Sequence, residues 1–130
     1  MWLREPPAGR FAPLDAPCAG LRWGAMLRIY SDTVTLLSTL RPVIAGISRQ
    51  DRGLARQLRR AATSVLLNLA EGSGQRGGHR RERYRTALGS AWEVRACIDA
   101  GVALGYVDEP EGGMRDRLDK VIRMLHRLAR

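Results

Sequence analysis

Arginine is the residue type in this sequence that is best suited to chemistry, and it is concentrated in two segments. Residues 76–85 hold five arginines against one acidic residue, and residues 52–60 hold four more at helical spacing. The guanidinium group presents a fork of N–H donors that matches phosphate or carboxylate. Tyr84 lies among the later arginines, and an aromatic ring can stack on a nucleic-acid base. We therefore expect eight arginines to contact nucleic acid: Arg56, Arg59, Arg60, Arg76, Arg80, Arg81, Arg83 and Arg85. The alternative is a solvated basic face with no specific partner.

A second group of polar residues recurs along one face of the second predicted helix. Ser64, Asn68 and Glu71 are spaced by four and then three residues, so their side chains can meet. Polar groups beside an apolar face need hydrogen-bond partners, which Ser90 or Arg95 of the next helix could supply. We interpret Ser64, Asn68, Glu71 and Ser90 as a structural polar cluster rather than a catalytic one.

No motif in the sequence predicts an enzyme, a metal site or a cofactor. Residues 72–77 match G-x-G-x-x-G, but a predicted helix precedes them where a dinucleotide site needs a strand. His79 and His126 each follow an arginine by three residues, whereas a di-iron bundle needs Glu-x-x-His. The sequence also lacks a credible carboxylate cluster or general base. We expect a non-enzymatic protein with no catalytic, cofactor-binding or metal-binding residues.

The composition indicates one globular domain with a polyanionic partner. Of 130 residues, 45% are hydrophobic but only 5% aromatic, which favours helices packed through small aliphatic side chains. The 22 basic and 13 acidic residues leave a net charge of +9, as suits nucleic acid or an anionic surface. Cys18 and Cys97 form no disulfide pattern, and no segment resembles a membrane span or a signal peptide. These features favour a cytoplasmic protein that does not associate with membranes.

Hydrophobic periodicity predicts four helices after a disordered, proline-rich leader at residues 1–20. The first three helices are expected at about 21–47, 51–71 and 78–104. The fourth should begin at a capping box at 108–111 and end at 128. Connectors of about three, six and six residues should join them. Residues 21–130 should thus form an all-α, antiparallel up-down four-helix bundle. Asp51 is the expected N-cap of the second helix, Gly72 its expected C′ residue, and Gly105 the end of the third. Pro42 should kink or break the first helix.

The first predicted helix has an apolar face that is unusually wide. One stripe comprises Ile29, Thr33, Leu36, Leu40, Val43 and Ile47, and a second comprises Tyr30, Val34, Leu37 and Ile44. A face of this width is typical of a helix that is covered on more than one side. We therefore expect this helix to contact both its own bundle and another subunit.

Two stretches resemble the signatures of a known family. They are QLRRAATSVLLNLAEGSG at 57–74 and YRTALGSAWEV at 84–94, followed by LGY at 104–106. Over about residues 26–128 the chain is similar to the bacterial four-helix-bundle proteins encoded in intervening sequences of 23S ribosomal RNA genes. The same superfamily includes Avd, the accessory variability determinant of diversity-generating retroelements.

The resemblance implies a protomer that assembles as a ring-shaped homo-oligomer, typically a homopentamer, and binds RNA or DNA without sequence preference. For Avd-like members it also implies association with a reverse transcriptase and its template RNA. It carries over no catalytic residues. The alternative function is a scaffold that binds only protein, through exposed apolar helix faces and Trp92.

Overall fold

A computed structural model describes residues 19–130, with side chains described from Met26 onward. It contains four α-helices: α1 (Ala19–Ser48), α2 (Arg52–Ser73), α3 (Gly77–Ala103) and α4 (Met114–Leu128). No strand occurs among these residues. Residues 1–18 of the predicted leader, including Cys18, lie outside this range. The disordered leader and the absence of a disulfide at Cys18 therefore stay predictions. The all-α class and the four predicted helices are confirmed.

The helices form a bundle in which each contacts two neighbours. α1 packs on α2, α2 on α3, α3 on α4, and α4 returns to α1. Connectors of three residues, at 49–51 and 74–76, make the first three helices antiparallel neighbours. The first predicted stripe of α1 is buried throughout, from Ile29 at 0% exposure to Val43 at 8%. Facing it are the buried Leu58, Val65 and Leu69 of α2, so aliphatic burial determines the arrangement.

The second stripe of α1 is less covered. Leu37 and Ile44 pack partly against the core, whereas Tyr30 and Val34 each remain 42% exposed. Leu27 is 63% exposed on the same helix. In the single chain this face is therefore apolar and open to solvent.

Two helix ends follow local sequence rules. The Asp51 carboxylate accepts a hydrogen bond from the Leu54 amide at 2.9 Å, as an N-cap does. At the end of α3, Gly105 adopts a φ of +73°. The Tyr106 amide there donates to the Gly101 carbonyl at 2.9 Å, and the Gly105 amide to that of Val102 at 3.0 Å. This pair of bonds is the Schellman motif that glycine favours.

The predicted capping box at 108–111 is wrong, and two connector lengths differ from expectation. α4 begins at Met114 after a left-handed Gly113, and its N-terminus has no side-chain cap. Glu109 instead accepts from Arg115 Nε at 2.6 Å, while Arg115 Nη1 donates to Asp99 at 2.6 Å. This pairing holds residues 104–113 as a ten-residue connector rather than six, and the 74–76 connector has three residues rather than six.

The helix break predicted as one outcome at Pro42 does not occur, and Gly72 differs from its predicted role. α1 continues through Pro42 to Ser48, because the buried residues on both sides keep the helix packed across the missing hydrogen bond. Gly72 is a buried residue inside α2, whose C-cap is Gly74. A Cβ at Gly72 would lie 2.6 Å from Tyr84 Cε1, so glycine is needed for the approach of α3.

Replacing Gly72 should test this approach. We expect Gly72→Ala to lower the free energy of unfolding by about 1–3 kcal/mol, because the buried Tyr84 ring must shift. Urea denaturation measures the change. The matched control is Gly89→Ala in α3, where a Cβ meets nothing within 4 Å. It should stabilise the protein by about 0.5–1 kcal/mol. Equal stability of the two variants would contradict the packing role of Gly72.

Candidate nucleic-acid interface

The α2 arginines lie on the outer face of the bundle. The buried residues of α2, including Leu58, Val65 and Leu69, occupy one side of the helix. Arg56 and Arg60 fall on the opposite side by helical periodicity, Arg59 lies on the flank between the two sides, and all three are exposed. Arg56 and Arg60 also line an open groove between α2 and α3. Their guanidinium groups are therefore available to an external anion.

The second arginine segment is divided between structural contacts and solvent. Arg80 donates from Nε to the Gln75 carbonyl at 2.7 Å and so stabilises the turn between α2 and α3. Arg83 pairs with Glu71 at 3.0 Å, and Arg85 lies 3.9 Å from Glu82. Arg76 and Arg81 are exposed. Within residues 19–130, no acidic side chain pairs with Arg56, Arg59, Arg60, Arg76 or Arg81.

The predicted arginines form two groups rather than one cluster. Arg60 lies in the first half of α2, and Arg76 follows the end of that helix. At 1.5 Å rise per residue, Arg60 and Arg76 are separated by roughly 20–25 Å along α2. Arg83, which pairs with Glu71, lies nearer, at roughly 16 Å along the helix from Arg60. A small anion cannot contact both groups. An extended polyanion can, because its phosphates repeat along its whole length.

Tyr84 is not available for stacking. Its side chain is 2% exposed and packs against Gly72, which excludes the suggested contact with a base. Burial raises the pKa of Tyr84, and the nearby positive charge of Arg80 partly opposes that shift. Tyr84 therefore supports the arginines by fixing α3 against α2.

The predicted polar residues are brought together where α2 meets α3. The hydroxyl oxygens of Ser64 and Ser90 are 2.8 Å apart. Asn68 donates from Nδ2 to the Ser64 hydroxyl at 3.0 Å, and Arg83 reaches both Asn68 and Glu71. Each side chain has a partner, so this arrangement holds helices together and leaves no activated nucleophile. Arg95, the other suggested partner, pairs instead with Asp119 of α4.

The remaining candidate groups show no reactive arrangement. His79 and His126 are exposed on α3 and α4. Cys97 is a buried free thiol, and burial raises its pKa with a further contribution from Glu93, so the thiol stays protonated at neutral pH. Among the described residues, no three or more His, Cys, Asp or Glu side chains are grouped as metal ligands.

Within the same part of the chain, no helix combines the length and apolar character that a membrane crossing requires.

The sequence did not predict the groove between α3 and α4. A groove between α3 and α4 brings Trp92 and Arg95 together with arginines of the last helix. The spacing of Arg123, Arg127 and Arg130, four and then three residues, was the available signal. That signal does not reveal which face of α3 the last helix covers.

A family model described as 23S rRNA-intervening sequence protein matches residues 26–127. No curated protein and no solved structure matches the chain.

The Ser64–Ser90 contact can be tested with a double-mutant cycle. Ser64→Ala and Ser90→Ala should each lower the free energy of unfolding by about 0.5–1.5 kcal/mol, because each removes the hydrogen bond between the two hydroxyls. The loss of unfolding free energy in the double variant should be at least about 0.5 kcal/mol smaller than the sum of the losses in the two single variants. Urea denaturation gives all three values.

The control for this cycle is Thr63→Ala, whose hydroxyl bonds only to the Arg59 carbonyl of its own helix. It should change stability by less than about 0.5 kcal/mol. Strict additivity of the two serine variants would show that the hydroxyl contact does not tie α2 to α3.

Proposed function

The chain belongs to the 23S rRNA-intervening sequence protein family, and we propose that it is a non-enzymatic, basic adaptor that binds nucleic acid. The observation that supports this most is the set of five arginines along α2 and the start of α3 that have no acidic partner within residues 19–130. Those arginines lie among 22 basic and 13 acidic residues in the whole sequence. Positive charge concentrated in this way attracts a polyanion.

The binding we propose is electrostatic and independent of base sequence. Arginine binds phosphate oxygens through paired N–H donors and releases the counterions that had neutralised them. Arg56, Arg59 and Arg60 would contact one part of the backbone, and Arg76 and Arg81 another part further along it. Arg80, Arg83 and Arg85 of the predicted set add positive charge, but their guanidinium groups already have protein partners. We therefore assign them a smaller share of the affinity.

Neutralising the α2 arginines should weaken binding. We expect the triple variant Arg56→Gln, Arg59→Gln, Arg60→Gln to bind a labelled RNA at least about tenfold less tightly at moderate salt, since it loses three phosphate contacts. Fluorescence anisotropy measures affinity, and circular dichroism checks that the helices are intact.

The matched control removes the same charge elsewhere. Arg28, Arg41 and Arg49 are exposed on α1 and its exit turn, and within the described residues they form no ion pair. Their triple Gln variant should bind much more tightly than the α2 variant. Equal losses would mean that only net charge matters, and the assignment to α2 would be wrong.

We further propose that the adaptor is a homo-oligomer, a ring of five by resemblance to the family. The supporting observation is the open apolar face of α1, with Leu27, Tyr30 and Val34 at spacings of three and four residues. Large exposed side chains grouped in this way are typical of an interface between chains. A ring would also bring the basic surfaces of several protomers together.

Charged residues placed in the apolar face should prevent assembly. The variant Leu27→Glu, Val34→Glu is expected to elute at the mass of a single 14.4 kDa chain, whereas the wild type elutes as a multimer, because a buried unpaired carboxylate is costly. Light scattering coupled to gel filtration gives the masses. Ala96→Glu, at an exposed position of α3, is the control and should assemble normally. A monomeric wild type would contradict the proposal.

The finer form of the proposed function is an accessory role like that of Avd, beside a reverse transcriptase and its template RNA. The resemblance at residues 57–74 and 84–94 is its support. Copurification from the native host would test it: a reverse transcriptase should accompany the protein, together with RNA.

A scaffold that binds only protein is the second candidate, and the same exposed apolar side chains favour it. A single stoichiometric protein partner that survives nuclease treatment, without any bound nucleic acid, would support the scaffold over the adaptor.

A further inference from the structure

We propose that the groove between α3 and α4 binds an unpaired base of single-stranded nucleic acid, with the base stacked on Trp92 and its phosphates on arginines of α4. This inference rests on the proposed function and adds a second contact surface to it. The groove has a volume of about 510 Å³, within the range of sites for small ligands.

Trp92 is a large aromatic side chain that lies exposed in the groove rather than in the core. Its indole is 49% exposed, although the core of this protein takes up almost every other large apolar side chain of α3 and α4. The guanidinium carbon of Arg95 lies 5.7 Å from the centre of the Trp92 ring. Arg95 is itself held by Asp119 at 2.6 Å. The ring is thus supported on one side by a fixed cation and remains accessible elsewhere.

The other wall of the groove is cationic. Arg123, Arg127 and Arg130 line it from α4 and the residues that follow, beside the apolar Ile122. Within residues 19–130 none of these three arginines forms an ion pair, and the acid that lines the groove, Asp119, is engaged by Arg95. The groove therefore offers free guanidinium groups at a short distance from an aromatic surface.

A nucleotide within a single strand matches both properties at once. Its base is a flat ring that can stack on an indole, and its phosphates pair with guanidinium groups. In a duplex the bases are already stacked on each other and cannot reach the ring. An acidic protein segment would satisfy the arginines but has no need of an exposed indole, so single-stranded nucleic acid is the better match.

The test compares Trp92→Ala with Trp92→Phe in the full chain. The probes are a fluorescein-labelled ten-residue oligouridylate and a labelled twelve-base-pair RNA duplex, measured by anisotropy in the same buffer. We expect Trp92→Ala to weaken oligouridylate binding about tenfold, the size typical of one stacked base. The duplex should be affected less than about twofold, since its binding depends on phosphate contacts. Trp92→Phe, which keeps an aromatic ring, should stay within about threefold of wild type.

Each other outcome overturns a defined part of the proposal. If Trp92→Ala binds both probes as wild type does, or loses both equally, base stacking on Trp92 is wrong while nucleic-acid binding stands. If the wild type binds neither probe, the proposed function fails as well. If a glutamate-rich peptide binds in a Trp92-dependent way and oligouridylate does not, the groove is a site for an acidic protein segment.

Discussion

The close contact between α2 and α3 determines how the charged surface of this protein is arranged. At one end Gly72 lets the Tyr84 ring approach α2 with no intervening side chain. Along the interface Ser64 and Ser90 share a hydrogen bond, and Arg83 pairs with Glu71. These contacts fix the rotation of both helices about their axes. With that rotation set, Arg56, Arg59 and Arg60 point to solvent, whereas Arg80 and Arg83 are used within the fold.

The core explains why so much charge is available. Its buried residues are almost all aliphatic or alanine, with Thr33 as the buried polar residue among those described, and the Thr33 hydroxyl donates to the Ile29 carbonyl of its own helix at 2.7 Å. A core of this kind has no place for an ion pair, so the charged side chains lie at the surface. Acidic residues there neutralise some arginines, as Asp119 does for Arg95 and Asp99 with Glu109 for Arg115. The excess of basic residues leaves the others without partners and creates two candidate contact surfaces.

Much of the fold could be predicted because it depends on local rules. The spacing of Leu36, Leu40 and Val43 requires one buried face, and Asp51 and Gly105 end helices through contacts within a few residues. The errors arose where a distant residue decides the outcome. Residues 108–111 lie in the connector, where Glu109 pairs with Arg115, and α4 begins only at Met114. Gly72 serves Tyr84 rather than a helix end. The sequence indicated the eight arginines at 56–85. It did not indicate that they divide into two groups, nor that a groove forms at Trp92, because both depend on how the helices pair.

The central claim is that the unpaired arginines bind phosphates, and the salt dependence of binding by the wild-type protein tests it most directly. Affinity for several unrelated RNA and DNA sequences would be measured at increasing salt concentration after nuclease treatment. The account predicts that the logarithm of the association constant falls linearly with the logarithm of salt concentration. Contact by five arginines gives a slope of about −3.5 for single strands and about −4.5 for duplex DNA. Absence of binding at low salt, or binding that salt leaves unchanged, would contradict the account.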